Sequence, residues 1–212
     1  MPVRNVIRYQ IPNAFYHVYN RGHNKDLLFV DNDDYQFFLF LLKRCFGPVQ
    51  LERQKGKPFP WFGDKIVLNA FCLMPNHFHL LLHQADDETA ISSVMQSLAT
   101  TYSMYFNRKY KRRGSIFESV FKASPIFNDS YLQHITRYIH LNPKNYKAWR
   151  HSSYHDYLSA GGNYWVAKQD ILGLFDGLEQ YKAFVDDYVG LRDELASLKH
   201  ELADHGSTYY ET

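Results

Sequence analysis

Alternating apolar and polar positions predict the strands of this chain. Residues 14–19 alternate and are rich in strand-forming side chains, which predicts a first strand. The mostly apolar runs 66–74 and 77–83 predict two more strands, and Pro75 and Asn76 predict a tight turn between them. Because so short a connection joins antiparallel neighbours, the two runs are expected to form a hairpin.

Apolar residues spaced three and four positions apart predict helices between and after these strands. Acidic residues in 31–34 supply an N-cap and a first turn for a helix over 35–46, which ends at Gly47 and Pro48. A second amphipathic helix is expected to begin near residue 86 and to run to about residue 107. Residues 115–127 favour a short strand or hairpin, and Asn128 begins a third helix that runs to about residue 141.

The order of these elements predicts the fold class. Strand, helix, two strands, helix, short strand and helix favour an α+β sandwich, with an antiparallel sheet packed against helices on one face. Two acidic helices are expected after Gly161 and Gly162. The second carries Leu191, Leu195, Leu198 and Leu202 at coiled-coil spacing, a seam that favours packing on the protein's own body over a dimer. We therefore predict a domain over residues 1–165, a helical acidic extension over 166–212, and a monomer or homodimer.

Composition indicates the size of the core and the expected cellular compartment of the protein. Of the 212 residues, 45% are hydrophobic, enough for a substantial core, but no run approaches the roughly 20 apolar residues of a membrane span. The N-terminus lacks an apolar stretch long enough for a signal peptide. Cys45 and Cys72 each lie in an apolar segment, which is typical of reduced, buried thiols and favours the cytoplasm.

Charge is distributed unevenly along the chain. Residues 170–212 hold ten acidic and three basic residues, whereas residues 1–169 hold 21 basic and 12 acidic ones. The densest basic run ends the second predicted helix and consists of Arg108, Lys109, Lys111, Arg112 and Arg113, with Tyr110 available for stacking. A basic body with an acidic tail favours nucleic-acid binding, and this run is the predicted phosphate contact.

A pair of histidines marks the candidate site. His77 and His79 begin a strand and therefore point to the same face, while Phe78 points to the other. Two imidazoles on one face form half of a metal site. The alternative is a pair of hydrogen-bonded core histidines.

A tyrosine near the end of the third helix supplies a candidate nucleophile. Tyr138 and Asn142 are four residues apart and share one helix face. A tyrosine hydroxyl can attack a phosphodiester and become covalently attached. A divalent cation held by His77 and His79 would stabilise charge on the scissile phosphate, and Asn142 could provide a third ligand. Asn142 precedes Pro143, so it is also an ordinary helix stop.

Together these motifs resemble those of a known family. The sequence is similar to the single-tyrosine HUH transposases, most closely to their REP-associated tyrosine transposase branch. The matching segments are 20–22, 74–79, 114–123, 138–143 and 149–157. The resemblance covers roughly residues 10–160, with the segments in the family's order.

The resemblance implies a fold and a chemistry. It implies a ferredoxin-like core, with the histidines on a central strand and the tyrosine on a facing helix. It also implies cleavage of single-stranded or hairpin DNA through a 5′-phosphotyrosine, with Mg²⁺ or Mn²⁺ as cofactor. Tyr138 would be the nucleophile, and His77, His79 and Asn142 would be the ligands.

One segment departs from the family pattern. Relatives often carry Gly-Arg before the aromatic-Lys pair, where this chain has Ser119 and Val120 before Phe121 and Lys122. Lys122 stays a candidate DNA contact, while the usual arginine is absent. Arg21 is a second candidate that either contacts DNA or braces its turn.

Two other classes of function compete with the DNA strand transferase. One is a non-catalytic DNA or RNA binder on the same fold, which is disfavoured because every proposed catalytic residue is present. The other is a metal-dependent phosphohydrolase that uses water as the nucleophile. It is disfavoured because no carboxylate accompanies the histidine pair in the sequence.

Overall fold

A computed structural model describes residues 11–52, 58–159 and 161–188. Four strands make up its sheet: β1 Ala14–Arg21, β2 Ile66–Met74, β3 His77–Gln84 and β4 Lys122–Ile126. The three longer helices are α1 Asn32–Phe46, α2 Ala90–Lys109 and α3 Asp129–His140. Three shorter helices follow, namely α4 Tyr154–Leu158, α5 Gln169–Leu172 and α6 Leu178–Asp186.

The sheet is antiparallel, with the order β2-β3-β1-β4. Strand β3 is therefore central, and it carries the histidine pair. Tyr19 of β1 lies opposite His79, and Arg21 lies opposite His77. This pairing extends β1 two residues beyond the predicted strand, to Arg21. The predicted α+β class, with an antiparallel sheet packed against helices, is confirmed.

Side-chain alternation along β3 separates two helical layers. Phe78 packs against Phe38 of α1, with ring centroids 5.3 Å apart, and Gln84 accepts a hydrogen bond from the backbone N–H of Ile91 in α2. His79 points to the opposite face, where its ring centroid lies 5.3 Å from that of Tyr138 on α3. The expectation of helices on one face thus holds for α1 and α2, while α3 covers the other face.

Short polar side chains begin two of the helices as the sequence predicted. Asp31 and Asp34 form a reciprocal capping box at the start of α1. Asn128 accepts a hydrogen bond from the backbone N–H of Tyr131 at the start of α3. Helix α2 begins at Ala90, later than expected, because Asp87 accepts hydrogen bonds from both the backbone N–H and the hydroxyl of Thr89 in the preceding turn.

The segment after α3 covers the outer edge of β2. Ser152 lies opposite Cys72, and the backbone N–H of Leu73 donates to the carbonyl of His151. Trp149 donates its indole N–H to the carbonyl of Leu73 at 3.0 Å. These contacts give the segment 149–157 a structural role in closing an otherwise unpaired strand edge.

Helix α6 packs against α3 through buried polar contacts. The Tyr181 hydroxyl lies 2.5 Å from Nδ1 of His140, and Ser153 Oγ lies 2.8 Å from Nε2 of the same ring. The guanidinium of Arg137 lies over the ring of Phe184, 4.0 Å from its centroid. The predicted leucine seam at 191–202 lies outside the described residues, and the domain boundary near residue 165 stays a prediction.

The sequence also raised the state of the cysteines and the question of membrane-spanning helices. Both Cys45 and Cys72 are buried free thiols. Among the helices that the structure describes, none is long and apolar enough to cross a membrane.

Candidate metal and nucleophile site

Two predicted site residues, His77 and Asn142, meet where the start of β3 faces the end of α3. His77 Nε2 lies 3.0 Å from Oδ1 of Asn142. Asn142 follows the last turn of α3, and its backbone N–H donates to the carbonyl of Ile139. The chain turns just before Pro143, and this turn places the Asn142 amide beside a strand that is 65 residues away in sequence.

Asn76 determines which nitrogen of His77 faces the site. Its Nδ2 donates to the backbone carbonyl of Lys25 at 3.3 Å, so its Oδ1 faces Nδ1 of His77 at 2.7 Å. A neutral imidazole that donates from Nδ1 has a lone pair on Nε2. That lone pair is directed at the oxygen of Asn142, so two acceptors face each other.

This pair of acceptors fits a small divalent cation. Neighbouring ligands of an octahedral ion, each about 2.1 Å from the metal, lie about 3 Å apart. The His77–Asn142 separation matches that geometry, and imidazole and amide oxygen are both competent donors. Among the residues that the structure describes, no group of three or more His, Cys, Asp or Glu side chains is placed to hold a metal. A cation held here would take its third donor from the amide of Asn142, which lies beside His77.

His79 is held by a third histidine. Its Nδ1 lies 2.9 Å from Nε2 of His17, which lies on β1 and is only 1% exposed. Burial without a charged partner lowers the pKa of His17 to about 3, so its ring is neutral at physiological pH. Because Nδ1 of His79 is occupied, Nε2 is the nitrogen of that ring that would bind a cation.

Tyr138 lies against this histidine group. Its ring meets those of His79 and His17 edge-on, with centroids 5.3 Å and 5.8 Å away. Burial raises the pKa of the Tyr138 phenol, and the side-chain amide of Asn142 opposes that shift. The hydroxyl is therefore protonated at neutral pH in the free protein, and it needs electrostatic assistance to act as a nucleophile.

A cavity of about 470 Å³ connects these groups to the surface. Its lining includes both predicted histidine ligands and Tyr138, together with Tyr19, Lys25 and Lys122. The Nζ of Lys122 lies 5.8 Å from the centroid of the Tyr19 ring. Arg21 also lines the cavity and forms an ion pair with Glu118 at its rim. Lysines beside an aromatic ring suit an anionic ligand with stacking groups, such as a nucleotide.

The predicted basic run is not uniform in its surroundings. Lys109 is paired with Asp31 and with buried Asp34, at 2.6 Å and 2.8 Å. Arg112 lies 3.6 Å from Asp26, so it is partly neutralised. The other three basic residues, Arg108, Lys111 and Arg113, are exposed. None of the side chains of residues 108–113 lines the cavity.

A sequence model of the family described as "Transposase IS200 like" matches residues 63–142, a segment that contains both histidines, Tyr138 and Asn142. This segment, 80 of the 212 residues, is therefore similar to the IS200-like transposases. The predicted resemblance to the single-tyrosine transposases is thereby confirmed. No curated protein matches the chain.

One solved structure shares the fold of this chain, and a second aligns less well. The structure of a REP-associated tyrosine transposase bound to a REP hairpin aligns with a TM-score of 0.55 and 16% identity, covering 79% of this chain and 92% of that one. A putative transposase from Deinococcus radiodurans R1 aligns with a TM-score of 0.40 and 14% identity, covering 62% of this chain and 92% of that one. The first alignment shows that the fold is shared, and the second carries no further weight.

Sequence reasoning missed several residues of this site. It did not connect His17 to His79, and it gave no role to Tyr19 or Glu118. A signal for His17 was available, because His17 and Tyr19 alternate on β1 just as His77 and His79 do on β3. Which residues meet across the two strands depends on register, which the local pattern does not contain.

Proposed function

We propose that this protein is a metal-dependent endonuclease and strand transferase for single-stranded, hairpin-forming DNA. The observation that carries the proposal is the meeting of His77, His79 and Asn142 beside Tyr138, within the segment that matches the transposase family. The fold-related transposase was solved with a REP hairpin, which supports hairpin DNA as the partner. The two buried free thiols of the present protein, Cys45 and Cys72, support a cytoplasmic location.

Tyr138 acts as the nucleophile in this proposal. Its phenol oxygen attacks the phosphorus of the scissile phosphodiester and loses its proton, while the bond from phosphorus to the 3′ oxygen breaks. The protein is then joined to the 5′ phosphate of the downstream strand, and the upstream strand ends in a 3′ hydroxyl. Attack by that 3′ hydroxyl on the phosphotyrosine rejoins the original strand and releases the tyrosine oxygen. Attack by a different 3′ hydroxyl joins the downstream strand to a new one in the same way.

His77, His79 and Asn142 hold Mg²⁺ or Mn²⁺ beside the scissile phosphate. When bound, the cation supplies positive charge that stabilises the phosphoryl oxygens and the leaving oxygen. Two imidazoles and one amide carry no negative charge, so they form a weak, exchangeable site. Lys122, Lys25 and the ring of Tyr19 line the same cavity and bind the DNA on either side of the reacting phosphate.

The covalent intermediate provides the test. A hairpin oligonucleotide library labelled at the 3′ end should become attached to the parent protein, and the adduct should survive denaturing electrophoresis. Tyr138→Phe should form no adduct while it retains DNA affinity, since it loses only the phenol oxygen. Tyr131→Phe changes a tyrosine two turns earlier on the same helix and is the matched control, which should react like the parent.

The competing functions predict other results. A non-catalytic DNA or RNA binder would retain the oligonucleotide without cleavage or adduct in any variant. A phosphohydrolase would cleave the strand with no covalent protein–DNA product, and its activity would survive Tyr138→Phe. An adduct that persists in Tyr138→Phe would assign the nucleophile to another tyrosine.

A further inference from the structure

His17 and His79 meet edge to edge inside the protein. Their nitrogens are 2.9 Å apart, their ring centroids are 5.0 Å apart, and the angle between the ring planes is 20°. Nearly coplanar rings at that centroid separation share an in-plane hydrogen bond and do not stack face to face. A single hydrogen therefore lies between Nδ1 of His79 and Nε2 of His17.

Two arrangements of that hydrogen have opposite consequences for metal binding. If Nδ1 of His79 donates to His17, Nε2 of His79 carries a lone pair and can act as a ligand. If Nε2 of His17 donates instead, Nε2 of neutral His79 carries the hydrogen and cannot bind a cation. Metal-bound histidines generally donate their other N–H to a fixed acceptor, which sets the tautomer.

We propose that His17 is a positioning residue, which accepts the Nδ1–H of His79 and so holds that ligand in its metal-binding tautomer. This inference rests on the metal site proposed above. His17 itself reaches no metal ligand position, since its Nε2 is used by His79.

The proposal has a consequence inside the core. Once Nε2 of His17 accepts, its own hydrogen must lie on Nδ1. That atom is buried and has no hydrogen-bond partner among the residues that the structure describes. An unpartnered buried donor is unfavourable, so the ligand-competent arrangement is not strongly preferred without metal. Binding of a cation to Nε2 of His79 therefore fixes the hydrogen positions on both rings. The tautomer of His17 changes although His17 does not contact the ion.

Two substitutions of His17 distinguish the effect of its hydrogen-bond acceptor from the effect of its ring shape. His17→Phe keeps a planar ring and removes the acceptor, whereas His17→Gln places an amide near the position of Nε2 and restores an acceptor. His83→Phe is the matched control. His83 lies on the same face of β3 as His79, hydrogen-bonds to Asn13 and does not line the cavity. Folding of each variant is checked by its melting temperature and circular dichroism.

The first measurement is Mn²⁺ affinity in the absence of DNA, read by electron paramagnetic resonance. We expect His17→Phe to weaken binding by about 10- to 100-fold, the usual effect of losing a partner behind a ligand. His17→Gln should recover most of the affinity, and His83→Phe should match the parent. If the parent binds Mn²⁺ and folded His17→Phe binds it equally well, the role of His17 is overturned while the metal site stands. A parent that binds no Mn²⁺ overturns the metal site, and this inference with it.

The second measurement needs no variant. In ¹⁵N-histidine-labelled parent protein saturated with Mg²⁺, His79 should carry its hydrogen on Nδ1 and His17 should carry it on Nδ1 as well. Metal-free protein should show a different tautomer population for both rings. A hydrogen on Nε2 of His79, or on Nε2 of His17, in the Mg²⁺-loaded protein would overturn the proposal.

Discussion

The ammonium of Lys109 lies 2.8 Å from Oδ1 of Asp34, a carboxylate whose side chain is completely buried. Asp34 also accepts hydrogen bonds from the backbone N–H of Val30 and from the Tyr110 hydroxyl. Lys109 and Tyr110 end α2, and Asp34 lies in the first turn of α1, so the group joins the two helices of one layer. Part of the basic run therefore stabilises the fold.

Lys109→Met should destabilise the protein. The change leaves a buried carboxylate without its cation, and we expect a loss of about 2–3 kcal/mol in the free energy of unfolding, somewhat below a fully buried pair because Lys109 is partly exposed. Urea denaturation at pH 7 measures it. Lys182→Met, which changes an exposed lysine of α6, is the control and should cost less than about 1 kcal/mol.

The same pair predicts a pH dependence. Burial alone would raise the pKa of Asp34, but hydrogen bonds from Lys109, Val30 and Tyr110 outweigh it and lower the pKa. A carboxyl with a lowered folded pKa stabilises the protein above its unfolded pKa of about 3.9 and loses that contribution as pH falls through the folded value. The stability gap between parent and Asp34→Asn should therefore shrink from pH 6 to pH 3. A gap that is constant over this range would contradict the lowered pKa.

Exposed arginines of the basic run should contribute to DNA binding in a sequence-independent way. For single strands, each lost phosphate contact reduces the slope of log affinity against log salt by about 0.7, so Arg108→Gln with Arg113→Gln should flatten it by about 1.4. Preference among hairpins should hardly change, because phosphate contacts do not read bases. Salt titrations with a hairpin and an unrelated strand test this. An unchanged slope would show that these residues form an ordinary solvated helix end.

Glu118 should weaken DNA binding in the parent. It places a negative charge at the rim of the cavity and engages Arg21 there. Removing that charge is worth on the order of 1 kcal/mol at short range in water, so Glu118→Gln should tighten DNA binding by about fivefold at low salt. Glu179→Gln, on α6, is the charge-matched control. Weaker binding by Glu118→Gln would indicate that the carboxylate positions Arg21 for its contact.

Removal of the metal should silence cleavage and leave the fold intact. The proposed ligands His77 and Asn142 are only half-buried, so the hydrophobic core does not depend on a cation between them. A chelator should abolish adduct formation with little change in melting temperature, and added Mn²⁺ should restore the reaction. His77→Ala should behave like the chelated parent. Unfolding on chelation would instead indicate a structural metal.

The extension after residue 165 should stabilise the segment that carries the candidate site. Tyr181 is fully buried, and its hydroxyl pairs with buried His140 in the helix that carries Tyr138. Tyr181→Phe leaves that imidazole nitrogen without its partner and should cost about 1–3 kcal/mol. Thermal denaturation measures the loss, with Tyr164→Phe, an exposed tyrosine, as the control. An unchanged melting temperature would support residues 1–165 as an independent domain.

Local patterns predicted the fold and half of the site. Strand alternation placed His77 and His79 on one face, helix spacing placed Tyr138 beside Asn142, and the caps at Asp31 and Asn128 follow from short-range chemistry. The remaining features depend on contacts between distant residues. The pairing of Lys109 with Asp34 and of His79 with His17 requires strand register and helix packing, which no local window contains.

The covered edge of β2 bears on how this protein behaves at high concentration. Open strand edges invite pairing between molecules and thus aggregation. Here one outer strand is occupied by the chain's own segment around Ser152. The other outer strand, β4, is only five residues long and contains Pro125, a poor residue for extending a sheet. We therefore expect concentrated preparations to resist fibril formation, and loss of the segment around Ser152 to make them prone to it.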